Sequence, residues 1–145
     1  VADATFTATN VVYISGGQLG TGIAQAAVAQ GQPCYRDPAT GNYAPAKADT
    51  LVHSGNSGIV IALSAAGASQ QFVFIQPGGG GVVLTYGSGV FTQGTVYYVS
   101  AATAGGIAIY ADLGSGTYIT PLGMALSASQ LYFAPIITPS GTTHP

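Results

Sequence analysis

Few residues in this chain could do acid–base or nucleophilic chemistry, and three of them lie within six positions. Asp49, His53 and Ser54 are the residue types of a hydrolase relay, in which a histidine takes a hydroxyl proton and an acid orients the ring. Adjacent residues of an extended chain point to opposite faces, so His53 and Ser54 are poorly placed to share a proton. No GxSxG elbow is present to expose a serine, and His53 is read as a loop histidine. Paired carboxylates for glycoside cleavage would have to come from Asp3, Asp37, Asp49 and Asp112. Asp49 and Asp112 each follow an alanine at the end of an expected strand, where a short acid suits turn initiation. Metal ligation is poorly supplied, because His53 and His144 are far apart and Cys34 is the single cysteine. Cys34 is read as a small apolar residue of a strand, and His144 as a tail residue with no partner nearby. The run Pro77-Gly78-Gly79-Gly80-Gly81 lacks the Lys-Ser/Thr and helix of a phosphate loop. It reads as a hairpin connection between 72–75 and 82–84. No catalytic, metal or cofactor site is expected, and no cofactor.

The elements that would position such residues are embedded in an unusual composition. Charged residues make up 4% of the 145 positions and hydrophobic ones 48%, with a net charge of −2. An average soluble domain carries about 25% charged residues. Disorder, which combines low hydrophobicity with high net charge, is excluded. The apolar runs are too short for a membrane helix, which needs about 18 residues or more, and no membrane partner is expected. No basic patch exists to neutralise phosphates, so no nucleic-acid partner is expected either. Low net charge favours association.

Short runs of β-branched and aromatic residues, separated by Gly, Pro, Asn and Ser, predict an all-β fold. Strands are expected at 5–14, 32–36, 58–64, 71–76, 82–86, 95–100, 107–111, 117–125 and 130–136, with a further strand favoured at 22–31. A gap-free shift of 63 positions places QGQPCYRDPATGNYAPAKAD (30–49) on QGTVYYVSAATAGGIAIYAD (93–112), and Ala62–Ala65 on Ala125–Ala128. The expected architecture is a compact β-barrel or β-sandwich of two similar β-units, with extended N- and C-terminal arms. Residues 1–20 form an N-terminal arm or first strand, 21–134 one β domain with an internal duplication (about 30–70 and 93–130), and 135–145 a Pro-containing tail. Pro135, Pro139 and Pro145 keep that tail out of a central strand. Ile136 and Ile137 suggest an arm lying on a neighbouring subunit.

The stretch YRDPATGNYAPAKAD (35–49) holds four of the six formal charges. Its repeat partner YVSAATAGGIAIYAD (98–112) keeps the turn residues but has neither Arg36, Asp37 nor Lys47. These charges therefore decorate one copy of a hairpin. Arg36, Asp37, Lys47 and Tyr43, with Ile136 and Ile137, are the candidate intersubunit or shell contacts.

The segments GQPCYRDPATGNYAPA, GIVIALSAAGASQQFVFIQPGG, GTVYYVSAATAGGI and DLGSGTYITPLGMALSASQLYF resemble the small β-rich virion proteins of tailed bacteriophages, especially head decoration or cement proteins. The resemblance covers about residues 22–133. It departs at Cys34, where an aliphatic residue is usual, and at ASQQF in place of Ala-Gly-Gln. It implies a non-enzymatic homo-oligomer, a trimer, made in the host bacterial cytoplasm and bound to the outer capsid surface. There it would bind the major capsid protein and stabilise the shell. A tail-fibre or receptor-binding module contacting host-surface glycans is the alternative, and a small hydrolase on a β scaffold the third reading.

Overall fold

The structure is a computed structural model that describes residues 3–137 and 141–145. It is all-β: two antiparallel sheets pack face to face in a sandwich, and neither closes into a barrel. The strands are β1 (Val12–Ser15), β2 (Gln18–Ile23), β3 (Pro33–Arg36), β4 (Tyr43–Pro45), β5 (Ile59–Ala62) and β6 (Gln71–Gln76). They continue as β7 (Val82–Thr85), β8 (Val96–Val99), β9 (Ile107–Ile109), β10 (Pro121–Ala125) and β11 (Gln130–Phe133). One sheet has the order β1-β7-β11-β10-β8-β9 and the other β2-β6-β5-β3-β4. Arg36 is the single charged residue in these eleven strands.

Five strands of the larger sheet repeat the order of the smaller one, with β7-β11-β10-β8-β9 corresponding to β2-β6-β5-β3-β4. Pairing repeats at the 63-residue offset: Pro33 lies opposite Ile61 and Cys34 opposite Val60, as Val96 lies opposite Met124 and Tyr97 opposite Gly123. The facing does not repeat. Cys34 belongs to the outer cluster of the smaller sheet, whereas Tyr97 belongs to the central core. A change of one residue in pleat phase turns every side chain to the other face, and the irregularity between Pro121 and Gly123 shifts the register of β10.

The central core is filled from both sheets: Tyr35, Ile59, Ile61 and Ile75 meet Leu84, Tyr97, Val99, Leu122, Leu131 and Phe133. Burying each such side chain contributes about 1.5–3 kcal/mol. A second cluster lies on the outer face of the smaller sheet. There Cys34, Val60, Ala62, Phe72 and Phe74 are sealed by Ala24 and Val28, with Tyr43 packed alongside. Gly20 and Gly22 make room for it, since a Cβ on either would come within 2.6 Å of the ring of Phe74 or Tyr43.

Several expected elements are corrected. The strand at 5–14 is a 3-10 turn (Ala8–Asn10) followed by β1. The favoured strand at 22–31 keeps only its first two residues, in β2; the rest is the covering loop, tied by isolated bridges from Ala24 to Tyr43 and from Val28 to Ala66. The glycine run 78–81 does not close a hairpin. β6 pairs with β2 and β5 while β7 pairs with β1 and β11, so the run carries the chain from one sheet to the other. At the ends, strands 107–111, 117–125 and 130–136 are trimmed to β9, β10 and β11.

Both termini return to the sandwich over their described residues. Ala4 N–H donates to Ile107 C=O (2.8 Å) and the Ser100 hydroxyl to Asp3 Oδ2 (2.7 Å). Residues 141–145 run beside 116–119, with Ile119 N–H donating to Thr142 C=O (2.7 Å) and His144 N–H to Thr117 C=O (2.7 Å). Pro139 lies outside the described residues.

Candidate functional site

The charged hairpin forms one rim of an open cleft of about 440 Å³ at the β4 edge of the smaller sheet. Tyr35, Ala44 and Pro45 come from β3 and β4, Lys47, Asp49 and His53 from the loop that follows, and Ala104 from the β8–β9 turn. Asp49 Oδ1 lies 2.9 Å from His53 Nδ1, four residues away on a turn. Both side chains are more than two-fifths exposed, so this pair adds little to stability. The His53 ring leans on Tyr35 with centroids 5.1 Å apart.

Asp37 is held more firmly. Ala39 N–H donates to its Oδ1 (2.9 Å) and Gln25 Nε2 to its Oδ2 (3.1 Å). The backbone bond from Ala39, then the bond from Gln25, hold its carboxyl below the usual carboxylate range. Gln25 also donates to the Tyr35 hydroxyl (3.3 Å) and accepts from the Thr40 hydroxyl (2.9 Å). One glutamine thus ties the covering loop to the hairpin. Burial raises the Tyr35 hydroxyl above its ordinary pKa, with the nearby Asp37 and Asp49 carboxylates adding to the rise.

The relay of Asp49, His53 and Ser54 is not assembled. Ser54 is 3% exposed, and its hydroxyl donates to Leu51 C=O (2.8 Å) rather than facing His53. Cys34 is buried, and loss of solvent pushes its thiol up to about 12. Among the described residues no three His, Cys, Asp or Glu side chains converge to hold a metal. Asp112 falls in a 3-10 turn (Tyr110–Asp112), and among the described residues both its carboxylate oxygens are buried without a partner.

The other candidate contacts fall in different places. Arg36 is exposed at the end of β3, and Lys47 is half-buried in the cleft. Tyr43 is engaged within its own chain, packed on Phe72 and Phe74 at 5.7 and 5.0 Å. Ile137 packs against the central core, whereas Ile136 is 61% exposed. His144, expected to stand alone, lies 4.6 Å from the ring of Tyr110, which in turn meets Tyr98 at 5.6 Å.

A surface that the sequence does not single out is the outer face of the larger sheet. Cross-strand pairing sets Val83, Tyr132, Met124 and Val96 in one row across β7, β11, β10 and β8. Val12 starts a parallel row through Thr85 and Gln130. Val12, Val96, Met124 and Tyr132 are each between 38% and 51% exposed, and no strand of this sheet carries a charge. The outer face of the smaller sheet is sealed by its own loop, but this one has no such cover among the described residues. The signal that could have found it is alternation: in Val96-Tyr97-Tyr98-Val99 both alternating sets are apolar or aromatic, and in Gln130-Leu131-Tyr132-Phe133 the outward set still carries Tyr132.

Comparison with protein-family models, with curated proteins and with solved structures finds no match. No helix among the described residues is long and apolar enough to cross a membrane.

Proposed function

We propose that this chain is a non-enzymatic structural protein of a tailed-phage virion, a decoration protein that binds the outside of the capsid shell and stabilises it. The uncovered, charge-free outer face of the larger sheet carries this reading. Contiguous exposed apolar surface marks a site of association, and a flat row of Val, Met and Tyr suits a protein surface better than a small ligand. The partner is the major capsid protein. The resemblance over residues 22–133 supplies the viral context.

The test is co-sedimentation with empty expanded shells assembled from the major capsid protein of the same virion. The chain is expected to pellet saturably with the shells. Met124→Lys, which places a charge in the middle of the row while leaving the buried face alone, is expected to weaken binding at least ~10-fold. A chain that stays in the supernatant, or a Met124→Lys variant that binds like wild type, overturns the proposal.

One observation favours a second reading, a receptor-binding module: the surface stack of Tyr98, Tyr110 and His144 offers aromatic faces to a sugar ring. Saturable binding on a host-glycan array, abolished by Tyr110→Ala, would select it over the shell.

A further inference from the structure

The cleft at the β4 edge plays no part in the shell-binding reading, which rests on the other sheet. Its volume of about 440 Å³ falls in the range of small-ligand sites, roughly 300–1,000 Å³. Ala26, Ala27, Ala44, Pro45 and Ala104 give it small apolar walls, and Gln32, Tyr35, Lys47, Asp49 and His53 supply the polar groups. The repeat shows which of these belong to the shared frame. At the 63-residue offset Tyr35 and Asp49 correspond to Tyr98 and Asp112, but Lys47 corresponds to Tyr110 and His53 to Gly116. The lysine and the histidine are additions to this copy alone.

The charges around the cleft are sorted by sign. Asp37 accepts from Ala39 and Gln25, and Asp49 Oδ1 holds His53 Nδ1 at 2.9 Å. Lys47 is half-buried, and among the described residues its ammonium has neither an acid partner nor a hydrogen bond. An ammonium is three donors and no acceptor, so an anion from outside is its natural complement. The remaining groups restrict that anion further. A carboxylate only accepts, so His53 Nδ1 carries the hydrogen toward Asp49, and Nε2 of the neutral ring is left as an acceptor. Asp49 Oδ2 is a second acceptor with no partner among the described residues. Gln32 is set the other way: its Oε1 takes Ala29 N–H (2.9 Å), leaving Nε2 to donate. The matching ligand therefore brings one negative charge for Lys47 and hydroxyl donors for His53 and Asp49. A dianion such as phosphate would be repelled by the Asp49 carboxylate. A simple acyl carboxylate brings no donors and would cover both acceptors without satisfying them, which costs binding energy.

We infer that the cleft binds a sugar acid, a monosaccharide or disaccharide whose carboxylate rests on Lys47. Its hydroxyls donate to His53 Nε2 and Asp49 Oδ2 and accept from Gln32, and its C–H faces lie on the alanines and Pro45. The site is distinct from the stack of Tyr98, Tyr110 and His144, which offers aromatic faces but no lysine or arginine. The inference stands on the cleft alone and goes beyond the shell-binding reading.

Amide-proton NMR titration of the full chain without shells tests it, so its outcome is separate from any result on shell binding. The probes are glucuronate and galacturonate, and at least one is expected to give saturable shifts at the amides around Gln32, Lys47 and His53. Glucose has the hydroxyls without the charge, and hexanoate has the charge without the hydroxyls. Each is expected to bind at least ~10-fold more weakly than the sugar acid, a comparison on the wild-type chain that needs no variant. Lys47→Gln is expected to weaken sugar-acid binding at least ~10-fold while leaving glucose binding and thermal unfolding unchanged. Absence of saturable shifts with both sugar acids at ~50 mM, glucose or hexanoate binding as tightly as the sugar acid, shifts confined to Tyr110 and His144, or a Lys47→Gln variant that binds like wild type would each overturn the inference.

Discussion

Tyr86→Phe removes one oxygen from the interior and almost nothing else. Tyr86 is 0% exposed, and its hydroxyl donates to Gly31 C=O at 2.8 Å, joining positions 55 residues apart. Its ring meets Phe6 at 4.9 Å and Phe91 at 5.2 Å, both edge-on, and phenylalanine keeps these contacts. The loss is therefore the hydrogen bond together with the stranding of a buried carbonyl, about 1–3 kcal/mol. Water cannot easily take the vacated place. Gly31 is buried with φ of +90°, and a Cβ there would already lie 2.6 Å from Val11 and 2.8 Å from Phe6. With about 2.1 cal/mol/K of unfolding entropy per residue, a chain of 145 residues loses about 7 °C in Tm for a 2 kcal/mol change.

Differential scanning calorimetry measures that shift, and urea unfolding should show a lower midpoint with an unchanged slope. A drop of less than ~2 °C would refute the reasoning, because it would mean that Gly31 C=O is not sealed from solvent. An alkaline titration gives a second check. Burial, with a smaller contribution from Cys34, pushes the Tyr86 hydroxyl far above its ordinary pKa. A raised folded value favours the protonated form, so this contribution is intact below the ordinary tyrosine value of about 10 and is lost only as pH rises toward the folded value. Tyrosinate absorbance should therefore show one of the nine tyrosines ionising only with unfolding, and Tyr86→Phe should abolish that late step.

Two further predictions follow from burial and local bonding. Cys34, with its thiol pushed up to about 12, should be inert to Ellman's reagent in the native protein at pH 8 and titrate as one thiol in denaturant; fast native labelling would show that the Gln25–Gln32 cover opens. Asp37 should titrate below the ordinary carboxylate value of about 3.9 by NMR, since its ionised form is the one bonded by Ala39 and Gln25. A depressed folded pKa contributes stability above that ordinary value and loses it as pH falls through the folded one. The stability gap between wild type and Asp37→Asn should accordingly be open at pH 6 and close toward pH 2, and a gap independent of pH would remove the carboxylate from the account.

The strands legible in the sequence are those with strong local pattern, such as Phe72-Val73-Phe74-Ile75 and Val96-Tyr97-Tyr98-Val99. β2 is hard to read because Gln18-Leu19-Gly20-Thr21-Gly22-Ile23 puts glycine at alternate positions, which weakens strand propensity. The reason for those glycines is tertiary: the rings of Phe74 and Tyr43 occupy the space where side chains would be. The sheet assignment of the 78–81 run is equally hidden, because a glycine turn has the same composition whether it joins neighbouring strands or crosses between sheets. At the candidate site, proximity in sequence brings Asp49 and His53 together, and the reading that sets Ser54 apart from His53 holds, since the Ser54 hydroxyl is taken by Leu51 C=O on the same turn. The bare face of the larger sheet is visible in its alternation, but whether a loop covers it depends on the path of residues far along the chain.

The distribution of charge bears directly on the proposed contact. A chain with a net charge of −2 and 4% charged residues has little electrostatic protection against association. Here the charges are not spread to provide it. Four of the six lie between Arg36 and Asp49, around the β4 edge, where a covering loop and Pro45 already block strand addition. The strands of the larger sheet, whose outer face is where a charge would most effectively prevent sticking, have none. An isolated monomer would gain from a lysine at Met124 at little cost to its fold, since that side chain is exposed. The absence of charge there is intelligible when this face is buried by apolar contact in an assembly.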